Sequence, residues 1–213
     1  ERWDEDALLL AYADQRAERF RVDATITAGD RLRMGGIEWM AIAAPGHDTH
    51  ALMFHCPRER ILISGDALWE DGFGVLFPQL HGRAGTFAET RRTLDSIAAL
   101  DVRTVIPGHG APFENVGAAL ERAYSRLHAF EEDPARLARH AARAMLMFAL
   151  LEKQRLPISS LPDYVEQTGI LRDINRRFLA MTPQHLAEWL VRELDRARAV
   201  KREGDHLVPL ISP

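Results

Sequence analysis

Cysteine is almost absent from this chain, with Cys56 alone among 213 residues. That excludes an internal disulfide framework and fits a reducing compartment, most simply the cytoplasm. Long apolar runs are missing too. Ala144 to Leu151, among the longest, is far too short to span a bilayer, and the opening ERWDEDALLL lacks the basic n-region of a signal peptide. No membrane is expected as a partner. Concentrated positive charge is also lacking: the net charge is -4, with 13 Lys and Arg against 9 Asp and Glu in residues 135–213 and 14 against 22 in the rest. Neither part carries the basic stripe of a protein that grips nucleic acid through phosphates. What is present, 46% apolar and 27% charged residues, suffices for a core in one large domain or two small ones.

Residues 7 to 21, ALLLAYADQRAERFR, have the spacing of a helix. VDATI and DRLRMGGIEWMAIAAP then give β-rich runs punctuated by Gly29, Gly35 and Gly36, followed by strands ALMFH and RILISGD around a CPRE turn. TFAETRRTLDSIAAL, residues 86 to 100, predicts a helix with Thr86 as N-cap and Glu89 at capping-box spacing. TVIP is a brief strand entering the loop GHGAPF, and a helix follows from about Glu114 to Glu132. EEDP marks the expected boundary between domains 1–133 and 134–213. Beyond it, helices are expected over Pro134 to Arg155, Pro162 to Gly169, Arg172 to Leu179 and Thr182 to Ala199, then a hairpin around Glu-Gly-Asp, with Met145, Phe148, Leu151, Leu186, Trp189 and Leu190 in the core. Helices closed by a small hairpin suggest a winged-helix-like module.

Three strand-to-loop junctions place a metal-ligand residue type beside glycine: Gly46-His47, Gly65-Asp66 and Gly108-His109. Imidazole and carboxylate suit borderline cations such as zinc, and a strand end holds a ligand more accurately than a loop does. Between the second and third junctions, ALWEDGFGVLFPQLHG is rich in aromatics and glycine. Trp69, Phe73 and Phe77 are candidates to line an apolar substrate pocket, with Gly72 and Gly74 allowing a mobile flap and His81 a lesser polar contact.

APGHDTH, ILISGDALW and VIPGHGAPF, in that order, resemble the second half of the metallo-β-lactamase fold superfamily over roughly residues 22 to 127. The resemblance implies an α/β fold, the second half of an αββα sandwich. It also implies that His47 binds one metal, Asp66 bridges two and His109 binds the other. The family's H-x-H-x-D-H segment, which supplies the remaining ligands and the aspartate that orients water, is absent: no H-x-H occurs, and no histidine precedes His47. With the chain opening on Glu1 inside a charged helical pattern, a fragment lacking the first β-layer is the expectation. His50 stands three residues after His47 where the family commonly has a histidine at four, which removes the basis for assigning it a role, and His55 is expected to be a surface or hydrogen-bonded histidine.

The resemblance implies a hydrolase in which two zinc ions activate water against a thioester, lactone or amide of a small-molecule substrate. A ribonuclease or phosphodiesterase of the same superfamily is the alternative, and a non-catalytic nucleic-acid-binding module in the C-terminal domain a further one. Against the last, TPQHLAEWLVRELDRARA sets Glu188, Glu193 and Asp195 among its arginines, so packing or dimerisation is the expected role of that helix. With three donors for two ions, little or no metal is expected to bind the chain as given. An apolar sheet face without its second layer is expected to promote either self-association, including homo-oligomers, or pairing with a complementary N-terminal fragment.

Overall fold

The computed structural model describes residues 21–210, which form two compact units, residues 21–133 and 134–210. The helix expected over 7 to 21 lies, but for Arg21, outside the described residues.

Unit 1 is built on a five-stranded sheet in sequence order: β1 (Arg31–Met34), β2 (Ile37–Ala43), β3 (Leu52–Cys56), β4 (Ile61–Gly65) and β5 (Thr104–Pro107). The first four are antiparallel neighbours, and β5 pairs parallel with β4 after a crossover through helices α1 (Phe77–Leu80) and α2 (Thr86–Ala98). Gly35 and Gly36 join β1 to β2 with φ of 60° and 79°, the two left-handed positions that a tight hairpin of matching twist requires. The run VDATI is not a strand; just after it, Thr27 N and Oγ1 donate to Asp30 Oδ2 in a local turn that leads into β1.

Register decides which side chains share a face. His55 opposes Leu62 and Ile42 opposes Met53, so Met53, His55, Leu62, Ser64 and, through the parallel pair, Val105 lie on one side, all buried. Helices α2 and α3 (Val116–Glu132) supply the buried stripes Leu94, Ile97 and Ala123, Leu127, Phe130. Phe54, Ile61, Ile63 and Ile106 define the other face, and there Ile106 is 38% exposed. Apolar residues on both faces of a strand are the pattern of a sheet that packs between two layers.

The start of α2 differs from its sequence reading. Gly85, in the left-handed conformation, is the N-cap; Thr86 is the first helical residue and donates to the Arg83 carbonyl. Glu89 is taken by Arg83 in a two-pronged ion pair, and this bond holds its carboxyl below the usual range. The helices themselves are tied by Tyr124 Oη, which donates to Asp95 Oδ1 at 2.6 Å. Desolvation, then that bond, pushes the phenol up to about 12. A folded pKa above the unfolded value of about 10 means that this contribution is whole below pH 10 and disappears as pH rises toward 12. Phenolate absorbance should therefore show one tyrosine titrating about two units late, a step missing from Tyr124→Phe; three ordinary tyrosines would refute it.

Unit 2 opens with α4 (Pro134–Lys153), a two-residue strand β6 (Leu156–Pro157) and a 3₁₀ turn, Ile158–Ser160. It continues through α5 (Leu161–Gln167), α6 (Gly169–Ile174), a π turn over Asn175–Leu179, α7 (Pro183–Arg196), β7 (Val200–Glu203) and β8 (His206–Pro209). The three strands form one sheet in the order β6-β8-β7. Thr182 caps α7 by accepting from His185 N, with Pro183 at the first helical position. Leu186, Leu190 and Leu194 form its buried stripe, packed in one cluster with Leu146, Leu150, Val165 and Leu171. Met145 and Trp189 flank that cluster, and Leu151 is half-buried. Phe148, expected in the core, is 45% exposed: on α4 the buried positions are Leu146, Ala149 and Leu150, and Phe148 falls between them on the outer side of the turn.

Candidate metal centre

Two of the three glycine-flanked junctions follow strand ends of unit 1 and the third, at His47, lies in the loop beyond β2 rather than at the strand end the sequence suggests; the fold brings the three side chains together. Asp66 follows β4 and His109 follows β5; the parallel pairing of these strands, extended by Gly108 N donating to Gly65 O at 2.8 Å, sets them side by side. His47 arrives from the loop after β2, anchored where Thr93 Oγ1 on α2 donates to the Pro45 carbonyl. His47 Nε2 stands 3.3 Å from Asp66 Oδ2, and His109 Nε2 stands 3.9 Å from Asp66 Oδ1. The carboxylate thus turns one oxygen to each imidazole.

Each group has a fixed orientation. His47 Nδ1 donates to the Val75 carbonyl at 2.6 Å, which leaves Nε2, on the Asp66 side, as the ring nitrogen that could ligate a metal. Its ring also meets Phe77 edge-on, with centroids 5.6 Å apart. Trp69 Nε1 donates to Asp66 Oδ1 at 3.0 Å, and its ring meets His109 edge-on at 5.2 Å. Gly74 and Gly108 are small because the site leaves no choice. A Cβ on Gly74 would sit 2.8 Å from both Asp66 Cβ and His47 Nδ1, and one on Gly108 would sit 2.5 Å from Asp66 Oδ1. The His109 side chain, 60% exposed, forms the open side.

The donor set fits zinc in part. Two ligands of one tetrahedral ion with bonds of about 2.0–2.1 Å lie about 3.3 Å apart. The His47–Asp66 separation matches this, and the Asp66–His109 separation is slightly wider. Among the described residues no three His, Cys, Asp or Glu side chains surround one cation position.

The aromatic segment behaves differently from its sequence reading. Trp69 and Phe77 do flank the cluster, but Phe73 is 2% exposed and packs edge-on against Phe130 of α3, inside the core. Gly72 and Gly74 are closely packed. A side chain on Gly72 would collide with the Arg126 guanidinium, and Gly74 N donates to the Asp66 carbonyl at 2.9 Å, closing the loop on itself. His81 stands at the C-terminal end of α1, half-buried. Two surface grooves, of about 440 Å³ beside Leu161 and Val191 and about 530 Å³ beside Ile37 and Cys56, include none of the cluster. His50 is exposed, with its backbone bonded to Asp48. His55 is buried on the helix side of β3, its Nε2 3.3 Å from the Asp101 carbonyl and its Nδ1 without a partner. Cys56 is a buried free thiol. Among the described residues no helix is long and apolar enough to cross a membrane. The Val75 carbonyl behind His47 escapes sequence reasoning because a backbone oxygen leaves no residue signature.

The chain is similar in sequence to known proteins. Residues 2–109 match the family described as the Metallo-beta-lactamase superfamily, and the chain belongs to that superfamily. It is similar to a hydroxyacylglutathione hydrolase of Bartonella tribocorum, with 26% identity over 101 residues covering 47% of this chain and 38% of the relative. It is also similar to the probable metallo-hydrolase YqjP of Bacillus subtilis, with 30% identity over 129 residues, 57% of this chain and 40% of the relative. Among solved structures, the metallo-beta-lactamase family protein TTHA1429 of Thermus thermophilus is 22% identical at a TM-score of 0.46, covering 94% of this chain and 58% of that one. The chain spans about two fifths or less of these curated relatives.

Proposed function

We propose that unit 1 carries part of a two-metal hydrolytic site in which His47 holds one zinc ion, His109 the other, and Asp66 bridges them. The observation that carries this is the Asp66 carboxylate, with each oxygen facing a different imidazole. When bound, such ions lower the pKa of a water and polarise the bond it attacks. The chain's own residues orient the donors: Val75 fixes the His47 tautomer, Trp69 and the two close glycines fix Asp66, and Phe77 walls the His47 side. The hydroxyacylglutathione hydrolase relative bears on the substrate. A hydroxyacylglutathione is a thioester, which favours a thioester over a lactone or amide for the intact protein. Phosphodiester hydrolysis finds less support, because residues 1–134 carry 14 basic against 22 acidic side chains.

Unit 2 is best read as a winged-helix module, from its helices followed by a hairpin and its strand order β6-β8-β7. Its α7 serves packing or self-association. Glu193 pairs with Arg143 and Arg196, and Glu188 and Asp195 add further negative charge on the surface a nucleic acid would meet. Retardation of a DNA duplex by this chain at low salt would reverse that assignment.

Three donors for two ions leave about half of each coordination shell to water, so this chain should hold zinc only weakly. Equilibrium dialysis followed by metal analysis should find well under one zinc per chain at micromolar free metal, and less still for Asp66→Ala. Two fully occupied sites in this chain, or zinc retention untouched by Asp66→Ala, would show that the ligands are other residues.

A further inference from the structure

The turn from Trp69 to Gly72 is held more firmly than a substrate-contacting loop needs. Trp69 N donates to Gly72 O at 2.6 Å, and Gly72 N returns a bond to Trp69 O at 3.3 Å. From α3, Arg122 Nε donates to the Glu70 carbonyl at 2.8 Å and lies 3.5 Å from Asp71, while the Arg126 guanidinium fills the space beside Gly72. Just before the turn, Leu68 is fully buried and its carbonyl accepts from Ser64 Oγ at 2.6 Å. The indole is therefore delivered to Asp66 by the fold.

We propose that Trp69 is a positioning residue for Asp66, its indole N–H setting the carboxylate orientation that turns Oδ2 to His47 and Oδ1 to His109. The inference rests on Asp66 being the shared metal ligand. A carboxylate turns about a broad, soft terminal torsion, so its direction must come from its surroundings. The glycines at 74 and 108 pack close to it but only by shape; Trp69 supplies a directional bond. Indole nitrogen donates and never accepts, so it cannot itself bind a cation. A carboxylate oxygen has a further lone pair, so the same oxygen can accept from Trp69 and still face a metal. Trp69 thus does for Asp66 what the Val75 carbonyl does for His47. Losing an outer partner of this kind typically costs ten- to a hundredfold in metal affinity.

The test compares the wild-type chain with Trp69→Phe and Trp69→Ala. Phenylalanine keeps an aromatic ring against His109 and lacks the N–H. At one fixed pH and without added metal, ¹H–¹⁵N spectra would follow the imidazoles of His47 and His109. His47 has its hydrogen bond and ring contact with Val75 and Phe77 and faces Asp66, so Trp69→Phe reaches its signals chiefly through the carboxylate. The expected result is displaced His47 signals in both variants, with unchanged thermal melting. Zinc affinity, measured by competition with a chromophoric chelator, should fall ten- to a hundredfold in both. His47 signals unmoved by Trp69→Phe, with His109 perturbed only by Trp69→Ala, would overturn the proposal and leave Trp69 as a packing residue. Zinc affinity unaffected by Asp66→Ala would instead refute the metal reading, and the imidazole spectra would still decide the role of Trp69.

Discussion

Gly108→Ala should disable the candidate centre while leaving the protein folded. The backbone at this position does not require glycine for its φ; what requires it is proximity. An added Cβ would stand 2.5 Å from Asp66 Oδ1 and 3.1 Å from the Gly65 carbonyl carbon, closer than atoms tolerate. Gly108 is also locked to Gly65 by its N–H, so the strand end cannot retreat without losing that bond. The side chain of Asp66 is the softer partner, and it will swing away. That moves Oδ1 from Trp69 and His109 together. Overpacking of one methyl costs about 1–3 kcal/mol of stability. A displacement of about 1 Å at a reacting centre costs on the order of a hundredfold in rate. In any longer form that turns over a substrate, kcat/KM should fall by about that factor with far-UV circular dichroism unchanged. Gly117→Ala is the control: it lies in α3 with nothing near a new Cβ and should be neutral or slightly stabilising. Equal activity in both variants would mean that Asp66 does not work where the structure puts it.

Leu190→Ala should produce the largest loss of stability, confined to unit 2. The side chain is wholly buried in a cluster drawn from α4, α5, α6 and α7, so truncation leaves a cavity in a small core. Such truncations cost about 2–5 kcal/mol, and domains of this size have about 5–10 kcal/mol to lose. Each kcal/mol shifts Tm by about 4–8 °C in a domain of 60–100 residues, so a drop of at least about 10 °C is expected in the melting of this unit. Phe148→Ala, at an exposed site on α4, should move it far less. Comparable shifts for the two would contradict the assignment of the core.

Much of this geometry was readable in the residues because the same physical demand recurs. A donor at a strand end beside a glycine is legible: the donor type names the chemistry, and the glycine marks crowding. The helix α2 was legible from its apolar spacing, but its cap was not. Thr86 and Glu89 have capping-box spacing, yet Arg83 competes for Glu89 through a stronger, charge-assisted pair, and Gly85 takes the cap instead. Phe73 shows a different limit. Between Gly72 and Gly74 it reads as part of an open loop, and only the fold reveals that the loop turns this ring inward onto Phe130 while Trp69 turns outward. Composition cannot tell which of two neighbouring aromatics faces the core. The two-residue β6 is invisible for a simpler reason, since Leu156 and Pro157 become a strand only by pairing with Leu207 and His206.

The parallel pairing of β4 with β5 also sets an entropic cost on assembling the site. Ile61 meets Thr104 across the whole of α1, α2 and their loops, so Asp66 and His109 become neighbours only after a segment of about forty residues has closed. Hairpins β1–β2 and β3–β4 need no such closure and form from local contacts. The donor cluster thus joins residues that only the closed fold makes neighbours, and its assembly carries the loop-closure entropy of that long connection. A cation bound to the finished arrangement would offset part of that entropy by stabilising the folded state alone.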